Sequence, residues 1–429
     1  MRSRVVALLL GAALALAACM GGPPPEPEPS PPPPPPSEPQ PTWHFESLDG
    51  PGSPAGDGRT QDSVGQEKSA AEYAGQLHVF YLGKGDVNHS DWLRHGWFDG
   101  QWHFEDLDGY RASGGSGRTD REVGRYPTAV VYGGELHVFY QGYWSSSGVL
   151  RHAHFNGTQW SFEDLDGHDL TGGATAAVGE WNTSLVVGSE LHVWYLGHTP
   201  GAPDPCRCVP PAPPGDGLRH AWFDGSTWRF EFLDGFGTSD DGRVPNGVGG
   251  YNAAVLQNGE PHVFYTEPGT EAVRHAWRAG GTWNFEYVVG PANPTLGYLP
   301  RWVSATAAGG SLHVFFYVSR FGILKHHWLD GSGWHDDVLD GSGGQGGGEN
   351  IDVGQYTAAA TINGQPHVWY SRSTSPNTPV LGHAWFDGSW RFERLSGPDV
   401  SGTFNTVVVD GGVPHVFSGY TTLQHAYLS

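Results

Sequence analysis

The residues with the most chemical potential in this chain are its histidines. There are 22, and fourteen of them fall at two recurring places. One is the second residue of a theme that appears seven times: LHVFY (77–81), LHVFY (136–140), LHVWY (191–195), PHVFY (261–265), LHVFF (312–316), PHVWY (366–370) and PHVF (414–417). The other is the histidine of a following run of the type LRHAWF, at His95, His152, His220, His275, His326, His383 and His425. In six of these runs a carboxylate follows ten or eleven residues on, so imidazole and carboxyl groups recur together, as general acid–base chemistry would need. Metal ligation is the other chemistry open to histidines. Here their spacing is not that of a compact ligand set and no Cys joins it, so neither a metal nor a cofactor is expected.

The elements that position these groups follow from the repeat. Histidines 78, 137, 192, 262, 313, 367 and 415 are 59, 55, 70, 51, 54 and 48 residues apart, which marks one structural unit per interval. Within a unit the order is TAVVY, the turn Gly133-Gly134, ELHVFY, a variable loop, VLRHAHF, the turn around Asn156-Gly157, and WSFEDLDG. Short β-branched and aromatic runs punctuated by Gly-Gly, Asn-Gly and Asp-Gly predict hairpins, hence four antiparallel strands per unit. Runs such as VVYGGELHVFY are apolar on both strand faces, which suits a sheet packed between two others. The fold class expected is therefore all-β: a seven-bladed β-propeller of four-stranded blades. The last unit ends at LQHAYLS (423–429) with three strands, while WHFESLDG (43–50) reads as a fourth strand without its first three. The N-terminal strand should complete the last blade and leave no open edge.

Register arithmetic tests this. Pairing the residue before each third-to-fourth turn with the Trp after it sets His95 opposite Glu105, His152 opposite Glu163, His220 opposite Glu231, His275 opposite Glu286, His326 opposite Asp337 and His383 opposite Glu393. Pairing Leu428 with Trp43 across the chain ends sets His425 opposite Glu46. One active site should break a repeat, whereas these pairs obey it in every blade. They read as buried polar pairs that fix register.

Composition agrees. With 65 Gly, 34 Pro and 13% aromatic residues the chain is poor helix material and rich in core material. Three Cys cannot form a disulfide scaffold. A formal charge of −22 leaves no basic stripe for a phosphate backbone, so nucleic acid is not an expected partner.

Residues 1–18 read as a secretory signal: Arg2 and Arg4, then an apolar run from Val5 to Ala17 too short to span a bilayer. Leu16-Ala17-Ala18-Cys19 resembles a bacterial lipobox, which implies cleavage before Cys19 and a diacylglycerol on its thiol. Residues 19–41 would then be a lipidated Cys and a Pro-rich, polyproline II tether, and 42–429 the propeller. The expected partner is a membrane through that anchor, in the cell envelope, with Met20 after the cysteine favouring the outer membrane.

Chain direction places the short first-to-second and third-to-fourth turns on one rim. The long connections, including 50–68, 109–125, 235–250, 341–355, 82–92 and 196–217, fall on the other, which is the expected binding face. Loops entering the first strands carry an aromatic beside a small residue: Tyr126-Pro-Thr128, Trp181-Asn182, Tyr251-Asn252, Trp302-Val-Ser304, Tyr356-Thr357 and Phe404-Asn405. At a channel mouth such rings could stack on sugars while Asn and Thr bond hydroxyls; wedges between blades are the alternative. Arg59, Arg118 and Arg243 each follow a Gly in inter-blade loops and could hold an acidic ligand or form surface ion pairs. Trp92, Tyr143 and Trp144 break the pattern and join the candidates. Cys206 and Cys208, one residue apart in a Pro-rich insert, leave a local disulfide, partner pairing and free thiols all open.

The succession LHVFY then LRHAWFDGSTW (218–228) resembles the blades of fucose-binding propeller lectins across all seven repeats. Where those lectins place a sugar-binding Arg this chain has His78 and its equivalents, and where they place Glu it has His95 and its equivalents. GSTW (225–228) and GGTW (280–283) are similar to the end of a sialidase Asp box, but Ala221 and Phe223 stand where its Ser and Asp would be. The function expected is ligand binding without chemistry, most of all to a glycan. A protein-interaction scaffold and a glycoside hydrolase or lyase are the alternatives, the last needing a one-off carboxylate pair among Glu267, Glu271, Asp240 and Asp241.

Overall fold

The computed structural model describes residues 41–429 apart from 86–89, 113, 145–146, 168–176, 199–215, 236–240, 246, 268–269, 292–299, 348–350, 374–378 and 396–400. The expected leader, Cys19, most of the tether, Asp240, Cys206, Cys208 and the side chain of Trp144 lie outside the described residues.

The described residues form 28 strands in seven four-stranded antiparallel sheets, with no helix. The first blade is β2 (Val64–Tyr73), β3 (Gln76–Gly83), β4 (Trp92–Phe98) and β5 (Trp102–Gly109). The last is β26 (Thr406–Asp410), β27 (Val413–Ser418), β28 (Leu423–Leu428) and, from the start of the chain, β1 (Trp43–Asp49). Each innermost strand touches the next, and β2 touches β26, so the sheets close into a propeller. Glu46 pairs with His425 and Trp43 with Leu428, as the arithmetic requires. The seam ends in two backbone bonds, Thr42 N–H to Ser429 O at 2.8 Å and Ser429 N–H to Thr42 O at 3.1 Å.

Every other predicted pair is also in register, from His95 and Glu105 to His383 and Glu393. The second strands are buried on both faces, because each sheet is sandwiched by neighbours. One cluster joins Phe80 and Leu93 of the first blade to Val138, Tyr140, Trp160 and Phe162 of the second.

A polar clamp adds to this packing. The last Asp of one blade accepts from a Tyr and an Arg of the next: Asp49 from Tyr81 (2.6 Å) and Arg94 (2.8 Å), Asp108 from Tyr140 and Arg151, Asp166 from Tyr195 and Arg219, and Asp234 from Tyr265 and Arg274. Asp340 holds Tyr370 and Arg372 in the same manner. These carboxylates are fully buried, so each stands only because two donors and a positive charge replace its water.

Candidate functional site

In all seven blades the second-strand His places Nδ1 2.9–3.0 Å from Nε2 of the third-strand His. In six, Nδ1 of that second imidazole lies 2.7–2.9 Å from a glutamate Oε1. A carboxylate can only accept, and burial lowers the His152 pKa and keeps the ring neutral, which sets both tautomers: His152 donates from Nδ1 to Glu163, so its Nε2 accepts from Nδ1–H of His137. Glu46, Glu231, Glu286 and Glu393 also accept an indole N–H from the neighbouring blade, Glu46 from Trp102 (3.1 Å) and Glu393 from Trp43 (3.0 Å). Burial, helped by the neighbouring imidazole, holds His78, His137 and His192 down to about 3 and His262, His313, His367 and His415 to about 4. These are neutral, interlocked groups at pH 7. They tie strand to strand and blade to blade.

The six loop aromatics are brought together. Five lie on bulges of their innermost strands and Phe404 lies just before its own, all with positive φ, from 49° at Phe404 to 55° at Trp181 and Tyr356. A glycine stands two residues before each of these aromatics except Trp302, which has Pro300 there; Gly124, before Tyr126, has φ +100° and a Cβ there would sit 2.7 Å from Leu93 N. Ring centroids follow one another at 4.5 Å (Tyr126 to Trp181), 4.0 Å (to Tyr251), 5.9 Å (to Trp302), 4.5 Å (to Tyr356) and 4.5 Å (to Phe404). The rings therefore meet around the propeller axis and are not wedges between blades. The ring planes are inclined by 37–46°, and by 65° between Tyr251 and Trp302, so the rings touch one another at an angle around the axial cavity that they line. Of the small polar partners, Asn182 donates to Tyr126 O and Asn405 to Tyr356 O, both at 2.9 Å, and Thr128 bonds the Ser184 hydroxyl. Asn252 keeps both polar atoms buried and unpaired beside the axial cavity of about 220 Å³.

The seventh position of this iris is Glu67, which sequence reasoning missed. Its signal is the recurring Val-Gly-x-aromatic, which at 64–68 reads VGQEK. Burial pushes the Glu67 carboxyl up, against the pull of Arg125, and Oε2 accepts Tyr126 N–H at 3.0 Å. Lys68 donates to Phe404 O (2.6 Å) and Gly419 O (3.1 Å), fastening the first blade to the last.

The remaining candidates do not converge. Arg59 donates to Leu48 O (2.7 Å) and Arg118 to Leu107 O (2.8 Å), each lying over an aromatic ring, as Arg243 lies over Phe285. They pin inter-blade loops to fourth strands. Trp92 is 2% exposed, with its indole donating to Asp106. Tyr143 sits at the end of the second blade's second strand, its N–H bonded to Glu122 O at 2.8 Å.

The groove between the fifth and sixth blades departs from the repeat. Asp337 replaces glutamate, one methylene shorter, and its Oδ1 stands 3.3 Å from His326 Nδ1, both atoms buried with no hydrogen-bond partner. The other oxygen accepts from Gln345 at 2.6 Å. A cavity of about 820 Å³ opens here, lined by His313, His326, Trp328, Asp337, Phe386 and Trp390 among others. It includes turn residues Gly309, Gly364 and Gly388, so it lies on the short-turn rim, opposite the face that loop lengths favoured.

A fucose-specific lectin from Aleuria aurantia is 26% identical over 159 residues, 36% of this chain and 47% of that protein. The chain is similar to a propeller lectin. That agrees with the resemblance carried by the blade pattern, although the match spans about half the relative's length. No family model matches. Among solved structures, a triple arginine-to-alanine mutant of AofleA from Arthrobotrys oligospora is 14% identical with a TM-score of 0.46, covering 83% of this chain and 91% of its own. The virginiamycin B lyase of Staphylococcus aureus is 12% identical with a TM-score of 0.47, covering 90% and 99%.

Proposed function

We propose that this chain is a glycan-binding propeller held at a bacterial cell envelope by a lipid on Cys19, and that the groove between the fifth and sixth blades seats the sugar. The observation that carries the reading is the broken relay. An aromatic-lined cavity contains a buried carboxylate oxygen and a buried imidazole nitrogen with no partner, which sugar hydroxyls would satisfy while C–H faces rest on Trp328, Phe386 or Trp390. The similarity to a fucose-specific lectin supports it in architecture; His313 and His326, which face this groove, stand where the resembling lectins place Arg and Glu, so the contacts to sugar would be this chain's own. Neither is charged at pH 7, so a neutral sugar suits the site better than an acidic one.

The full chain on a glycan array should retain a sugar. Trp390→Ala should weaken that binding by about tenfold or more, consistent with loss of a stacked aromatic, while Trp181→Ala at the axis should leave it. Absence of any retained glycan would favour the scaffold reading, and turnover of a labelled glycan would point to a hydrolase. For the anchor, Cys19→Ala should move the protein from the membrane to the soluble fraction; unchanged fractionation would remove the lipid from the account.

A further inference from the structure

The Asp–Tyr–Arg clamp is missing, all three members at once, where the fourth blade meets the fifth. Val289 stands in the place of Asp, Phe316 in that of Tyr and Lys325 in that of Arg. A cavity of about 230 Å³ remains, lined by Val288, Val289, Pro300 and Phe316 on its apolar side. Glu271, His327, Lys325 and Asp336 supply the polar side. Lys325 is engaged by Asp336. His327 is 7% exposed, stacked on Phe316 at 5.2 Å, and its Nε2 has no partner. Glu271 Oε2 is likewise buried and unpaired.

We propose that this cavity binds a small organic cation, a primary amine or guanidinium compound with a short apolar body. The charges around it sum to one net negative: Glu271 and Asp336 against Lys325. His327 adds an acceptor and no charge at pH 7, since burial takes its pKa down to about 4. A cationic N–H donor is the group that satisfies a carboxylate oxygen and a bare imidazole nitrogen together, while Phe316 and the valines take the apolar body. At four other boundaries an arginine of the chain itself already occupies the matching position, locked onto aspartate. Here the protein leaves that place to a ligand, on a chain whose net charge of −22 draws cations in.

Calorimetric titration of the full chain tests this with three probes: benzylamine, n-butylguanidinium and, as the neutral counterpart, benzyl alcohol. The two cations should bind and the alcohol should bind at least about tenfold more weakly, the ratio expected for one lost charged hydrogen bond. Glu271→Gln should weaken the cations by a similar factor and leave the alcohol unchanged. The triple change Val289→Asp, Phe316→Tyr and Lys325→Arg, which rebuilds the clamp, should abolish binding. Equal affinity for amine and alcohol, wild-type affinity in Glu271→Gln, or no binding of either cation would each overturn the proposal. The glutamine variant alters a single loop-proximal side chain and remains decisive even if the triple variant does not fold.

Discussion

The groove between the first and second blades and the groove between the fifth and sixth are built from the same repeat, yet the polar relay is continuous in one and interrupted in the other. Both keep an edge-on Trp on the third-strand imidazole, Trp160 at 5.4 Å from His95 and Trp390 at 5.0 Å from His326, but in the first His78, His95 and Glu105 form a continuous chain with bonds of 2.9 Å. In the second, aspartate falls one methylene short of His326, Gln345 takes the carboxylate's other oxygen, and a cavity of about 820 Å³ opens beside Trp390. A propeller turns a structural motif into a candidate site by shortening one side chain. Two buried atoms lose their partners, which is costly unless a ligand or water restores them.

The comparison can be broken most severely with acid, which should attack all closed relays together. The second-strand histidines stay neutral in the fold down to about pH 3 or 4, whereas in the unfolded chain they take a proton near the ordinary value of 6.5. Between those limits the unfolded state binds more protons, so stability is complete above about pH 6.5 and falls steeply as the pH drops towards 4. Denaturant titrations at pH 7 and pH 4.5 should differ by several kcal/mol on that linkage; equal midpoints would mean that the relays are not neutral.

A smaller effect separates the two grooves directly. Glu105→Leu leaves the His95 Nδ1–H unpaired and should cost about 1–3 kcal/mol in chemical denaturation, while Asp337→Leu should cost less, because the His326 bond is already lost. If the two cost the same, the closed relay is not what stabilises the first groove. The smallest change is Asp337→Glu. It should reconnect His326, raise the melting temperature by a degree or two at the ~1 kcal/mol expected of one added bond, and reduce glycan retention. Unchanged retention on the array would disconnect the open groove from sugar binding.

Much of this was legible in the chain. Seven histidine themes, hairpin turns and the orphan strand WHFESLDG gave blade number, closure and the histidine–carboxylate register, because in a closed antiparallel sheet register follows from turn length and the apolar pattern. The aromatics Tyr126 to Phe404 were also visible as a recurring set. Their use was not, because whether a ring offers its face to solvent or to its neighbour depends on bulges that alternation cannot report. The same limit hid Glu67, whose importance lies in being the one non-aromatic member of a ring assembled from seven blades. It also hid Asp337: on paper a conservative replacement, in three dimensions a gap.

The sequence alone determined an all-β propeller with a polar pair in every blade, since periodicity and turn chemistry are local and repeat seven times. Only the tertiary structure decided which departures from the repeat matter. Val289 ends one blade, Phe316 and Lys325 are paired in the hairpin of the next, and they become a cavity where the two blades meet. Arg59 and Arg118, conspicuous in the chain, are bound to main-chain oxygens and turn out to be fastenings. The physical reason is that repetition is written along the chain, while a vacancy exists only between neighbours that the fold brings together.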